Sequence, residues 1–287
     1  MKEKVKCKKC RLLINKDEEI CPYCGFDQKE EIKENLTDNI SHPKRQELEL
    51  LPNSKVLSFP FAKHLALFLL GFIGLSIFNL IIQSLILAFS NQDYLTSLGG
   101  RNLVVSLSYL LTFLTMLLVI FKDNLKLIKI FISEYKTYLI GILFGGALIL
   151  FSSLYNMMIF NLGFNENNNQ NLVVDIVKKF PVSSVFIIGI IGPIVEELTY
   201  RIGLYSLIRK YNRVAAFIVT SLIFGLIHFS VGSIEDSKTL VNELVNLPSY
   251  IISGLILCFA YEKFGISGSV LAHITNNLVG VIVYIIQ

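Results

Sequence analysis

The sequence has little charge. Only 17% of its 287 residues are Asp, Glu, Lys or Arg, against about 25% in soluble domains. Apolar types make up 53%, and mean hydropathy is +0.59. A soluble globular protein and a disordered chain are thereby excluded. There is also little excess of one sign: 26 basic residues face 22 acidic ones, a formal net charge of +4. That is not the footprint of a nucleic-acid groove, and no nucleic-acid partner is expected. Cysteine is scarce too. Four of the five cysteines fall in the first 24 residues and Cys258 lies in an apolar run, which excludes a disulfide-stapled secreted domain. No apolar segment opens the chain, so a secretory signal peptide is not expected. Internal repeats, which build many transporters, are absent.

What charge there is lies unevenly. Residues 1–60 hold 23 charged residues and the other 227 positions hold 25. Within the head, Cys7-Lys-Lys-Cys10 and Cys21-Pro-Tyr-Cys24-Gly form two C-x-x-C pairs. Each pair can turn both sulfurs toward one point, and two pairs complete a tetrahedral thiolate cage for zinc. A redox dithiol is the competing reading, but it needs a surrounding fold that so small a head lacks. Residues 1–26 are therefore expected to be a zinc ribbon whose structural zinc supplies the folding energy that burial cannot. The ribbon would also offer a contact for a protein partner. Residues 27–60, of mixed charge with Pro43, Pro52 and Pro60, read as a polar tether.

Residues 61–287 carry apolar runs that suit a bilayer, which takes about 20 residues per crossing. Spans are expected near 62–89, 103–121, 137–160, 181–207, 213–230, 247–262 and 266–286. The fold class is then an all-α polytopic membrane protein, a bundle of about seven transmembrane helices preceded by a small zinc ribbon. Lys122, Lys126, Lys129 and Lys136 lie between spans two and three, and Arg209, Lys210 and Arg213 between four and five. The positive-inside rule puts these loops and the N-terminus in the cytoplasm, where thiolates stay reduced. Gly141, Gly145 and Gly146 read as a helix-packing surface. The asparagine-rich stretch around residues 165–171 reads as a solvated outer loop, and Cys258 as an inert apolar residue.

Ionisable groups inside hydrocarbon are costly and mark sites. They cluster in the second half of the chain: Glu196, Glu197 and Arg201 in span four, Phe224 and His228 in span five, His273 and Asn277 in span seven. Glu197 and Arg201 are four apart, stacked on one helix face and able to pair. Glu196, rotated by about 140° from Arg201 on an α-helix, points elsewhere. From the helical rise, Glu196 lies roughly 18 Å, His228 about 22 Å and Asn277 about 16 Å from the inner ends of their spans. All fit the middle of one bundle. As a buried carboxylate Glu196 can take a proton from water, His228 can hold that water or carry a proton, and His273 and Asn277 can donate to an oxyanion. Glu196, His228 and His273 are also types that zinc accepts, so a catalytic zinc stays open beside metal-free water activation. The helix-borne H-E-x-x-H pattern is absent.

The E-E-x-x-x-R of Glu196, Glu197 and Arg201, the F-x-x-x-H of Phe224 and His228, and the H-x-x-x-N of His273 and Asn277 resemble three signatures of one family. It is the CPBP family of CAAX proteases and bacteriocin-processing enzymes, also called Abi proteins, of the type II CAAX prenyl endopeptidase kind. The resemblance covers residues 165–286 and includes Asn169-Gln170. It implies an intramembrane endopeptidase acting on a membrane-associated protein or peptide. Glu196, His228, His273 and Asn277 would be catalytic, supported by Glu197, Arg201 and Phe224, in a glutamate-type or metal-dependent reaction. The Lys-, Asn- and Ile-rich composition reads as bacterial, so the resemblance implies a plasma-membrane location and a role in bacteriocin maturation or self-immunity. The alternative is a catalytically inactive scaffold, sensor or immunity protein of the same fold.

Overall fold

The computed structural model describes residues 4–8, 12–23, 25–28, 49–51, 54–165 and 167–287. Two small hairpins come first. Strands β1 (Lys4–Lys6) and β2 (Leu13–Asn15) pair antiparallel with Val5 opposite Ile14. Cys7, Ile14 and Cys21 are buried together beneath them, with Val5 and Phe26 packed alongside. Cys10 and Cys24, the other two expected zinc ligands, lie outside the described residues.

The second hairpin, β3 (Glu49–Leu50) with β4 (Leu57–Ser58), falls within the stretch expected to be a tether. Its far end is embedded in the protein. Val56, Leu57 and Phe59 are fully buried against Leu67, Met116, Tyr205, Tyr261 and Ile266. Three apolar side chains in four positions make this burial favourable, whatever the charge of the preceding stretch. The backbone is held as well. Leu57 N–H donates to the Tyr261 hydroxyl at 3.0 Å, and Phe59 N–H donates to His64 Nε2 at 2.9 Å. With Nε2 accepting, His64 Nδ1–H is free to donate to the Ile202 carbonyl.

The rest is helical. The longer helical stretches are α1 (Phe61–Phe89), α2 (Leu98–Val119), α3 (Asn124–Ser133), α4 (Tyr135–Asn161), α5 (Asn168–Lys179), α6 (Pro181–Arg209), α7 (Arg213–Leu226) and α8 (Ser237–Ile286). Among the described residues, five (α1, α2, α4, α6 and α8) are long and apolar enough to cross a membrane. The chain is a multi-pass membrane-embedded protein. This count of five is lower than the seven spans expected from the sequence. The run 213–230 gives a helix of only 14 residues, because the chain turns tightly at Ile227 and His228. The expected boundary between the runs 247–262 and 266–286 is present: α8 is two helices that meet across a kink at Gly265, its one non-helical residue, at φ 74°.

Two close approaches set α8 in place. A Cβ on Gly141 would lie 2.9 Å from the Gly268 carbonyl oxygen, and one on Gly145 would lie 2.8 Å from that of Ala272. The expected glycine surface on α4 therefore admits the arm of α8 that carries His273. Gly146 faces open space and takes no part.

The carboxylate Glu262 on α8 ties the helix ends together. It accepts from Arg209 at 2.9 Å, Arg213 at 3.1 Å and the Tyr205 hydroxyl at 2.8 Å. Hence Glu197 is not the sole buried acid of the helical body: Asp123, Glu243 and Glu262 are buried as well.

Candidate active site

Helix α6 carries the paired glutamates on a widened backbone. Its turns are of the π type over Ile187–Ile191 and again over Glu197–Tyr205. Such i→i+5 turns recur at functional sites. The α-helical rotation assumed from sequence therefore does not apply past Glu196. The pairing expected from the spacing is nonetheless present: Arg201 Nη1 lies 3.3 Å from Glu197 Oε1, with both side chains at 0% exposure. The guanidinium also rests on the Phe224 ring, 4.6 Å from its centroid, which supplies a cation–π contact where water cannot reach.

Glu197 Oε1 has a second partner, His273 Nδ1, at 2.9 Å. A carboxylate can only accept, so Nδ1 carries the proton, and a neutral imidazole then leaves its Nε2 lone pair bare. That Nε2 stands 3.6 Å from Glu196 Oε2. The gap is too long for a direct hydrogen bond and small enough for one water to reach both atoms. The other Glu196 oxygen, Oε1, accepts from the Tyr109 hydroxyl of α2 at 3.2 Å.

His228 enters from the turn after α7. Its ring lies 5.2 Å from that of Phe224, which in turn is 5.9 Å from the His273 ring. His228 Nδ1 is 3.1 Å from the Phe224 carbonyl oxygen, and with the proton there Nε2 becomes an acceptor. The Tyr250 ring covers His228 at 4.4 Å. Asn277 stands apart from this chain of contacts. Its Nδ2 donates to the Ile188 carbonyl at 3.3 Å, and its Oδ1 accepts from Asn276.

The asparagine stretch is not a solvated loop. Asn167 is buried, caps α5 by accepting from Gln170 N–H, and donates through Nδ2 to the His228 carbonyl at 3.0 Å. The Tyr250 hydroxyl donates to Asn167 Oδ1 at 3.2 Å. Glu243, also buried, accepts from the backbone N–H of Asn168 and of Ser230. His228 is thus held from the α5 side as well as from α7. The sequence offered no spacing signal for Tyr109, Asn167, Glu243 or Tyr250, because they come from α2, the start of α5 and α8, outside the three motifs.

Among the described residues, no three His, Cys, Asp or Glu side chains are arranged to hold a metal ion. With Nδ1 of His228 and of His273 each held by an acceptor, Nε2 of each ring is the atom left to meet a metal ion or a water.

Residues 178–279 match the family model described as Type II CAAX prenyl endopeptidase Rce1-like. All three motifs lie inside the match; Tyr109 and the second hairpin lie outside it. An uncharacterized protein of Mycoplasma capricolum subsp. capricolum is 32% identical over 178 residues, 57% of this chain and 49% of that one. The membrane-embedded CAAX protease MroQ of Staphylococcus aureus is 29% identical over 157 residues, 48% of this chain and 57% of that one. The chain thus spans about half the length of these curated relatives. No solved structure matches.

Proposed function

We propose that the chain is an intramembrane endopeptidase of the CAAX type, in which Glu196 activates the hydrolytic water. One observation carries this reading. Glu196 is aimed by Tyr109 on one oxygen and faces His273 Nε2 on the other, while His273 is itself fixed by the buried Glu197–Arg201 pair. The similarity of residues 178–279 to type II CAAX prenyl endopeptidases supports the reaction class.

In this mechanism water lies between Glu196 Oε2 and His273 Nε2. Glu196 takes its proton as the water oxygen bonds to the scissile carbonyl carbon. His273 Nε2 accepts the water's second hydrogen and orients it, and His228 carries a proton beside them. The oxyanion accepts from Asn277 Nδ2, which first leaves the Ile188 carbonyl, while His273, its one proton committed to Glu197, serves the water rather than the oxyanion. Protonated Glu196 then gives its proton to the amine nitrogen as the C–N bond breaks, so one water is consumed and the enzyme is restored. Arg201 keeps Glu197 ionised, and Glu197 keeps His273 in one tautomer. Removing bulk water strengthens each of these interactions.

The substrate on this reading is a membrane-associated protein or peptide, with bacteriocin maturation or self-immunity as the setting. The enzyme would lie in a bacterial plasma membrane with its N-terminus cytoplasmic. Cys7, Cys10, Cys21 and Cys24 would hold a structural zinc in a head that meets a protein partner. Membrane proteomes of cells carrying the wild-type and Glu196→Gln proteins test the reaction. A set of peptides should be shortened only with the wild type; identical proteomes, or full activity in Glu196→Gln or His228→Ala, would return the chain to the inactive-scaffold reading.

A further inference from the structure

Helix α3 joins the ends of two membrane-crossing helices, α2 and α4, and therefore runs along a membrane surface. It has apolar residues on both sides. Leu127, Ile130 and Phe131 pack on the core. Leu125, Ile128 and Ile132 face outward, exposed by 82%, 54% and 63%. Their spacing of three and four puts them on one stripe, and Phe121 and Tyr135 extend it at either end. A helix bathed in water on its outer face would present polar groups there.

The charges are sorted as strictly. Both acids of the segment turn inward and are neutralised: Asp123 by Lys63, and Glu134 by Lys55 at 3.0 Å. Lys122, Lys129 and Lys136 are exposed, seven residues apart, beside the apolar stripe. A stripe of large apolar groups edged by cations is the pattern of a helix lying in the headgroup boundary. Lysine stems can follow the apolar surface while the ammonium groups reach the phosphates. Such clusters next to membrane helices are attracted to anionic lipid.

We propose that α3 and its flanks form an interfacial site for anionic lipid headgroups. Leu125, Ile128 and Ile132 enter the acyl boundary, and Lys122, Lys129 and Lys136 meet the headgroup phosphates. The inward acids link this surface to the rest of the fold, since Glu134 also accepts from Ser267 Oγ at 3.2 Å, beside the break in α8. Lipid bound at α3 therefore bears on the arm that carries His273.

The test does not depend on catalysis. The chain has no tryptophan, so Ile128→Trp creates a single reporter, and Ile132→Trp a second should the first disturb folding. The full-length protein is placed in bilayers of phosphatidylcholine, with and without phosphatidylglycerol. Emission is expected to be blue-shifted, quenched by brominated acyl chains, and shifted further when phosphatidylglycerol is present. That further shift should be lost in K122Q/K129Q/K136Q. Water-like emission quenched by iodide would overturn the proposal and leave this face to a soluble partner. A blue shift insensitive to phosphatidylglycerol would overturn its anionic selectivity.

Discussion

The phenol of Tyr109 donates to Glu196 Oε1 across 3.2 Å, joining α2 to the glutamate on α6. The bond sets which oxygen of Glu196 is left for water. A hydrogen bond to a charged group contributes about 1.5–3 kcal/mol. If all of it is realised in the transition state, Tyr109→Phe should lower kcat roughly ten- to hundredfold, with KM little changed. Steady-state kinetics on a cleaved peptide measure the split, and an unchanged kcat would remove Tyr109 from the mechanism.

Arg201 and Glu197 should show the opposite signature, in stability before rate. Removing one partner of a buried ion pair leaves an uncompensated charge and costs about 3–5 kcal/mol. Arg201→Met should therefore lower the unfolding temperature in detergent, whereas Glu196→Gln should leave it near wild type. The double variant Glu197→Gln/Arg201→Met should regain part of the loss, because no lone charge remains.

Gly265 gives a third test. Its φ of 74° suits glycine, and a Cβ there would lie 2.8 Å from Glu134 Oε2. Left-handed backbone costs a residue with a Cβ roughly 1–2 kcal/mol. Gly265→Ala should lower thermal stability by at least that amount. Adding Glu134→Ala should cost less than the sum of the two single changes, since it clears the space the new methyl needs.

What sequence could reveal was local. The four-residue step from Glu197 to Arg201 announced their pairing, and the glycines of α4 announced a close helix approach. Apolar length marked α1, α2, α4 and α6. Contacts made across helices left no such trace. Tyr109 is one aromatic among many in an apolar span, and Glu262 sits at a span edge, where a carboxylate reads as solvated. Depth arithmetic assumed the α-helical rise, while α6 is widened where the site is built. The gap left between the spans 247–262 and 266–286 was legible too, and Gly265 breaks the helix there.

The head makes its own prediction. If Cys7, Cys10, Cys21 and Cys24 form a thiolate cage, purified full-length protein should carry close to one zinc per chain. Elemental analysis of Cys7→Ser/Cys10→Ser should then find it lost. Zinc retained by that variant would rule out the four-cysteine cage and leave the head to be held by its small apolar cluster.

The second hairpin decides where the polypeptide can be shortened. A cut at residue 60, where the composition changes, would remove Val56, Leu57 and Phe59 from the core. Each such side chain contributes about 1.5–3 kcal/mol when buried. The Tyr261 hydroxyl would lose its Leu57 partner and His64 its Phe59 partner. A chain beginning at residue 61 should aggregate or unfold during extraction, while one beginning at 49 should extract and melt like the full-length protein. The smallest autonomous body of this protein therefore includes a piece of what looks like its leash.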